Sequence, residues 1–339
     1  MEILVLSRDD VARLLPLPEC MTVMAQALED LARGQASMPL RIILPVPGSE
    51  GVLGFMPGML QASGVFGAKV TAVFESNLGT EFESHQGFVV LFESEHGRPL
   101  AVVDAGEVTA IRTAAVSGVA TRALAREDAR VLALIGSGGQ AHSHLEAMLV
   151  ARPIEEVRVW SRTVEHTRAF VAREAKRSER ERPELRFSVA EDAEQAVSGA
   201  DVICTLTAAS EPVVRGEWLS PGVHVNAVGW SGAAGRELDA EALRRSTFFV
   251  DRRESILNEG GEFLLARAEG VLGDDHIRGE LGEVLLGSVP GRTSPAEITM
   301  FRSLGPAVED VASAHYLYQV AKKVEAGVWA PLAGTRSGA

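Results

Sequence analysis

"ARVLALIGSGGQAHSHLEAMLVA", residues 129–151, decides the fold. Val131–Ile135 is an unbroken apolar run, the pattern of a strand covered on both faces. Gly136-Ser137-Gly138-Gly139-Gln140-Ala141 follows and fits G-x-G-x-x-A, and the stretch beyond it reads as a helix. The pattern alone is weak. Directly after an apolar strand, at the opening of a helix, it points to a dinucleotide. The glycines permit a tight turn and let backbone approach a pyrophosphate, while the helix N-terminus offers unpaired N–H groups and a positive dipole end. The competing reading, a glycine turn with no ligand, has less in its favour in this context.

The pattern repeats downstream. "EVRVW" is a strand, "TVEHTRAFVAREAKR" a helix, "LRFSVA" a strand, "AEQAVSGA" a short helix and "DVICTLT" a strand. Further strands are expected at "HVNAVG", "STFFVD" and "EITMF". Strands alternating with helices at this spacing predict βαβ crossovers and a parallel sheet, an α/β fold of the Rossmann type. The charged stretch 172–186 reads as a solvated helix end and loop. "GPAVEDVASAHYLYQVAKKVEAG" reads as a long amphipathic helix.

Upstream the pattern differs. Residues 8–33 read as helices, with Ser7 or Asp9 as a cap and Pro16 and Pro18 as interruptions. "RIILPV", "GVLGFMP", "GVFGAKVTAVF", "GFVVLFES" and "PLAVVDA" read as strands, the last two joined in a hairpin through "SEHG". Residues 107–125 are rich in Ala, Gly, Ser and Thr, which suits a helix packed close to other backbone or to a ligand.

At the end of the second strand stand Trp160-Ser161-Arg162-Thr163, about 24 residues beyond the first glycine, and no acid occurs before Glu165. An acid there serves the ribose of NAD, and an arginine serves the 2′-phosphate of NADP. Arg162, with Ser161 and Thr163 as hydroxyl donors, therefore favours NADPH over NADH. The alternative for Arg162 is a plain surface arginine.

Composition narrows the class. The 339 residues favour two domains, and 46% apolar with 23% charged residues is ordinary for a soluble protein. A net charge of −13 argues against nucleic acid or an anionic membrane as the main partner. Two cysteines, Cys20 and Cys204, are too few for a disulfide framework and fit a reducing cytoplasm. No signal peptide and no membrane-spanning run is expected. His142 and His144 lie on an early helix turn with no third ligand in view, so no metal is expected.

Over nearly its whole length the chain resembles the ornithine cyclodeaminase/mu-crystallin family, closest to the mu-crystallin (ketimine reductase) branch. The matching stretches include "PLRIILPV", "GAKV", "SHQGFVVLFE", "PLAVVDAGEVTAIRTAAVSGVAT", "GSGGQAHSHLEA", "VWSRT", "EWLSPGVHVNAVG", "RELD", "GELGEV" and "FRSLGPAVEDVA". The resemblance implies a Rossmann domain over residues 126–304. It implies an α+β domain for substrate and dimer contacts over 1–125 with 305–339. It further implies a homodimer and a nicotinamide cofactor acting on small α-amino or α-imino acids. By position it makes Arg41, Lys69 and Arg112 the cluster that holds the substrate carboxylate, with Lys69, Arg112 and Ser231 catalytic. Ser84, His85, Arg112 and Thr113 fall near the cofactor. Gly136, Gly138, Gly139, Gln140, Ser161, Arg162, Thr163, Thr207 and Val228 complete the cofactor set.

Chemistry supports the cluster independently, since a small imino or keto acid must be held by its carboxylate and convergent cations do that. Without the resemblance, Arg41 also reads as a surface charge and His85 as a polar residue at a strand start. Arg112 is either buried and paired or bound to a ligand.

The departure from the family lies in "HVNAVGWSGAAGRELD", residues 224–239. Cyclodeaminases place an aspartate soon after this strand, and Ser231 takes its position here. A serine hydroxyl does not serve unaided as the general base that ring closure and ammonia loss need. Hydride addition to a preformed iminium asks less of the protein. The expected activity is reduction of small cyclic α-imino acids, such as 1-pyrroline-2-carboxylate or 1-piperideine-2-carboxylate. Alanine-dehydrogenase-like reductive amination and ornithine cyclodeamination are the enzymatic alternatives. A binding protein without turnover is the alternative of another class. Whether Glu237 or His85 stands in for the missing aspartate is decided by the folding of the chain.

Overall fold

Leucine- and valine-rich runs broken by glycine turns organise the chain into two sheets. A computed structural model describes residues 2–77, 80–229 and 232–332. The first elements are β1 (Glu2–Leu6), α1 (Arg8–Leu14), α2 (Leu17–Ala32), β2 (Ala36–Ser37), β3 (Ile42–Pro45), β4 (Val52–Leu60), β5 (Val65–Val73), β6 (His85–Glu93), β7 (Pro99–Asp104) and α3 (Ala105–Leu124). Next come β8 (Val131–Ile135), α4 (Gly139–Ala151), β9 (Glu156–Trp160), α5 (Val164–Ser178), β10 (Arg186–Val189), α6 (Ala193–Val197), β11 (Val202–Thr205) and β12 (His224–Ala227). The chain continues through α7 (Ala240–Arg244), β13 (Thr247–Val250), α8 (Arg253–Glu259), α9 (Gly261–Ala268), β14 (Ile277–Glu280), α10 (Leu281–Leu285) and β15 (Thr299–Arg302). It closes with α11 (Ala307–Val324) and β16 (Val328–Pro331). Two compact units result, Met1–Thr113 with Gly305–Ala339 and Ala114–Leu304. The division passes through α3, whose C-terminal end is the expected boundary at 125.

In the second unit the strands run β10-β9-β8-β11-β12-β15-β13-β14, every pair parallel. This is the Rossmann-type α/β sheet read from "VLALI" and its successors. Its chain order reverses between β8 and β11, so a crevice for a ligand opens beyond the C-terminal ends of those strands. Residues Leu132–Ile135 and the whole of β11 and β12 are buried, as strands covered on both faces require.

The first unit holds a mixed sheet in the order β16-β1-β7-β6-β5-β4-β2, with β3 paired to β4. Only β1 with β7 is parallel. Its two faces differ. Met56, Lys69, Val89 and Val103 form one register row that is buried. The helix α11 lies against β4, β5 and β6 and against α2. Ile42, Phe55, Val70 and Phe88 form a row on the opposite face, and three of the four are largely exposed.

Two expectations need correction. The helix α11 is not amphipathic throughout, because all eight residues from Ala307 to Ala314 are buried and only its later turns reach solvent. Four strands were not anticipated, β1, β2, β14 and β16. Each pairs with a segment distant in sequence, and local patterning does not report such partners. Among the described residues, no helix is long and apolar enough to cross a membrane.

Candidate functional site

A lysine in the middle of a strand is the starting point in the first unit. Lys69 takes an inward position of β5, and its side chain is 6% exposed. Such a cation persists only when paired. Its Nζ lies 2.9 Å from Asp310 Oδ2 and 3.4 Å from Thr109 Oγ1. Arg112 comes to the same carboxylate from α3, with Nε donating to Asp310 Oδ1 at 3.0 Å and Nη1 to Glu309 Oε2 at 2.9 Å. Both acids are fully buried and stand in the first turn of α11, where the helix dipole favours negative charge.

Burial pushes Lys69 down to about 8, with the charges of Arg112 and Arg41 adding to the effect and Asp310 opposing it. Arg112 is also penalised by burial, but Asp310 and Glu309 more than offset this and hold it above its usual value. Arg41, half-buried at the entry to β3, lies close enough to act on Lys69. The structure thus brings Arg41, Lys69 and Arg112 into one neighbourhood. Glu309 and Asp310 were missed in the sequence reading, although "GPAVEDVA" was singled out as a whole.

His85 opens β6, and its Nδ1 lies 3.0 Å from Ser84 Oγ. Partial burial and the charge of Lys69 lower its pKa, so it shares the lysine's surroundings. Thr113 follows Arg112 on α3 and is buried.

The second unit carries the nucleotide features. Gly136 has φ +118°, which side chains rarely adopt, and a Cβ there would come within 2.8 Å of the Leu206 carbonyl. Its N–H donates to Trp160 O at 2.7 Å, tying the turn between β8 and α4 to the end of β9. Gly138 caps α4 without a side chain, and neither Gly138 nor Gly139 would crowd anything within 4 Å if it carried a Cβ. Open space above the N-terminus of a 13-residue helix is what a pyrophosphate requires. The residues present therefore fit a dinucleotide.

Ser137 Oγ lies 2.9 Å from Ser161 Oγ, which in turn lies 2.6 Å from Thr167 Oγ1. This ties the glycine turn to the tip of β9. Arg162 beside it is exposed, and Thr163 caps α5. Gln140 opens α4, while Thr207 and Val228 follow the ends of β11 and β12.

Ser231 lies outside the described residues. Glu237 is described, and it is not an available base. Fully buried, it accepts the Thr207 N–H at 2.6 Å and the Thr207 hydroxyl at 2.7 Å on Oε1, and the Gly229 N–H at 2.7 Å on Oε2. Burial raises its pKa against these donors. His142 and His144 have different partners: His144 meets Ser117 Oγ at 3.1 Å and Gln140 O at 2.9 Å, while His142 meets Glu174 and Arg177.

Comparison with known proteins agrees with these features. The family model for the ornithine cyclodeaminase/mu-crystallin family matches residues 1–325. Ketimine reductase mu-crystallin of Mus musculus is 40% identical over 285 residues, 84% of this chain and 85% of the relative. The structure of Thermococcus litoralis Δ1-pyrroline-2-carboxylate reductase in complex with NADH and L-proline superposes with a TM-score of 0.92 at 35% identity, covering 96% of this chain and 99% of that one. An archaeal alanine dehydrogenase dimer with bound NAD superposes with a TM-score of 0.91 at 34% identity, covering 98% and 99%.

Proposed function

This chain belongs to the ornithine cyclodeaminase/mu-crystallin family, and from that premise we propose that it is an NAD(P)H-dependent reductase of small cyclic α-imino acids. The observation that carries the reading is the buried cluster on β5, α3 and α11. Lys69 and Arg112 share Asp310, Glu309 takes the second arm of Arg112, and Arg41 adds a third positive charge. A carboxylate is what convergent cations of this kind recognise through charge-assisted bonds, and a cyclic α-imino acid carries one beside its C=N bond.

When bound, the nicotinamide cofactor supplies the hydride. The chain's own residues hold the reactants. Backbone N–H groups at Gly138, Gly139 and Gln140 take the pyrophosphate, and Gly136 lets the chain turn close to it. Ser161, Arg162 and Thr163 take the 2′-phosphate, so NADPH is the preferred cofactor and NADH the secondary one. Thr207 and Val228 present the strand tips. Lys69, with its proton on Nζ at neutral pH, binds the substrate carboxylate together with Arg41 and Arg112, a charge-assisted arrangement that fixes the C=N carbon. Ser84, His85 and Thr113 complete the surroundings.

A reductase needs no general base for ring closure. Both oxygens of Glu237 are engaged, which favours reduction over ornithine cyclodeamination. The exposed apolar face of β3, β4 and β6 supports a homodimer, since monomers seldom leave such a face open. Two buried free cysteines fit a cytoplasmic protein.

A panel of cyclic ketimines and open-chain oxo acids, each with and without ammonium, tests the reading through NADPH oxidation. Reduction of the cyclic ketimines without ammonium is expected. Turnover only of oxo acids with ammonium makes the protein an alanine-dehydrogenase-like enzyme instead.

A further inference from the structure

Glu237 sits where two adjacent parallel strands end. Thr207 follows β11 and Gly229 follows β12, and one carboxylate collects donors from both. The same side chain joins Gly229 to Glu237, the Gly229 N–H donating to its carboxylate. Nothing larger than glycine fits at 229, because a Cβ there would collide with the Thr207 carbonyl and the Glu237 carboxylate.

The support continues inward. The Glu237 N–H donates to Glu262 Oε1 at 3.1 Å, and Glu262 Oε2 lies 2.8 Å from Arg302 Nε. Arg302 Nη1 in turn donates to the Ala227 carbonyl at 2.9 Å, at the end of β12 itself. The side chains of Glu237, Glu262 and Arg302 are all buried. A network of this kind in the interior is costly unless its geometry is fixed, and once satisfied it rigidifies what it touches. The residue that the amino-acid sequence offers as a stand-in base is therefore an acceptor hub.

We infer that Glu237 is a positioning residue that locks the tips of β11 and β12 in the arrangement the nicotinamide end of the cofactor requires. The inference rests on the reading of this unit as a dinucleotide site. It does not depend on which imine is reduced. An acceptor on both oxygens is what the position demands, so the isosteric amide does not replace it.

The test begins with the unaltered, cofactor-free protein. Amide hydrogen exchange at Thr207 and Gly229 is expected to be slow, and fast exchange at both overturns the inference without any variant. In Glu237→Gln one oxygen becomes an NH2 group that faces a donor. Exchange should accelerate most at Thr207, and less at Gly229, whose N–H also donates to the Thr205 carbonyl at 3.1 Å, while β8 stays protected. The NADPH dissociation constant, read by fluorescence titration, should rise about tenfold or more, as the binding-competent arrangement of the two tips falls to a minor population. Glu237→Asp keeps the charge and both acceptors one methylene further back, and it should bind NADPH more tightly than the amide. A residue that only fills space predicts the reverse order, with the isosteric amide nearer the parent. That order, or an NADPH affinity within twofold of the parent in a folded amide variant, overturns the inference. Binding and exchange are read without substrate, so failure of the ketimine assignment leaves this result interpretable.

Discussion

Lys69 shows how a single residue's chemistry follows from its place. An inward strand position strips it of water, and Asp310 at 2.9 Å keeps it useful as a cation. With its pKa pushed down to about 8, Lys69 is protonated at neutral pH and loses its charge as pH rises through that value. The kcat/KM for an imino acid should therefore fall above about pH 8, and Lys69→Arg, which stays cationic, should move that limb upward. Lys69→Ala should cost roughly 3–5 kcal/mol in kcat/KM, the scale for breaking a buried charged contact, with NADPH affinity nearly unchanged. Imine kinetics equal to the parent's remove Lys69 from the site. Arg162 makes a separate prediction. Arg162→Ser should weaken NADPH about tenfold, allowing for the residue's exposure, and leave NADH nearly untouched. Equal losses for both cofactors contradict the 2′-phosphate assignment. At this scale the sequence was readable where a residue answers to the local backbone, as at Gly136. It was unreadable at Glu309 and Asp310, which look like the polar face of a surface helix. They are buried because Lys69 and Arg112, far away in the chain, need them.

Among the elements, β8 with α4 and the strands β11, β12 and β13 were legible because each is a short buried stretch set between a turn and a helix, whereas β14, with the sequence IRGE, carries no such run. The strands β1 and β16 pair with each other across almost the whole chain, so nothing in "EILVL" announces its neighbours. The mixed sheet poses a further question through its open face. Ile42 is 48% exposed, Leu44 53% and Phe88 43%, a concentration of apolar surface that a second copy of the chain would cover. Sedimentation should give twice the chain mass at micromolar concentration. The double substitution Ile42→Asp with Phe88→Asp should give a single-chain mass with the far-ultraviolet spectrum retained, because both side chains point away from α11. A dimer that survives both changes places the interface elsewhere.

On the scale of the whole molecule, two buried histidines couple stability to pH. Burial lowers His144 to about 4 and His224 to about 3. The unfolded chain takes up those protons near pH 6.5, while the folded chain does so only near the lowered values. The stabilisation is therefore complete above pH 6.5 and is lost as pH falls toward 4, by about 1.4 kcal/mol per pH unit for each histidine. Urea midpoints at pH 7, 6 and 5 should decline steadily, and His144→Gln should reduce the slope. A flat profile from pH 7 to 5 contradicts the assignment of both as neutral core residues. The central claim is that the molecule delivers hydride to a preformed C=N bond. Its most direct test uses NADPH deuterated at C4 on the transferred side, with 1-pyrroline-2-carboxylate in ammonium-free buffer and mass spectrometry of the product. One deuterium at the α-carbon of proline for each NADPH consumed is the predicted result. Unlabelled product or no NADPH consumption, with ornithine and NAD⁺ giving proline and ammonia instead, would contradict it.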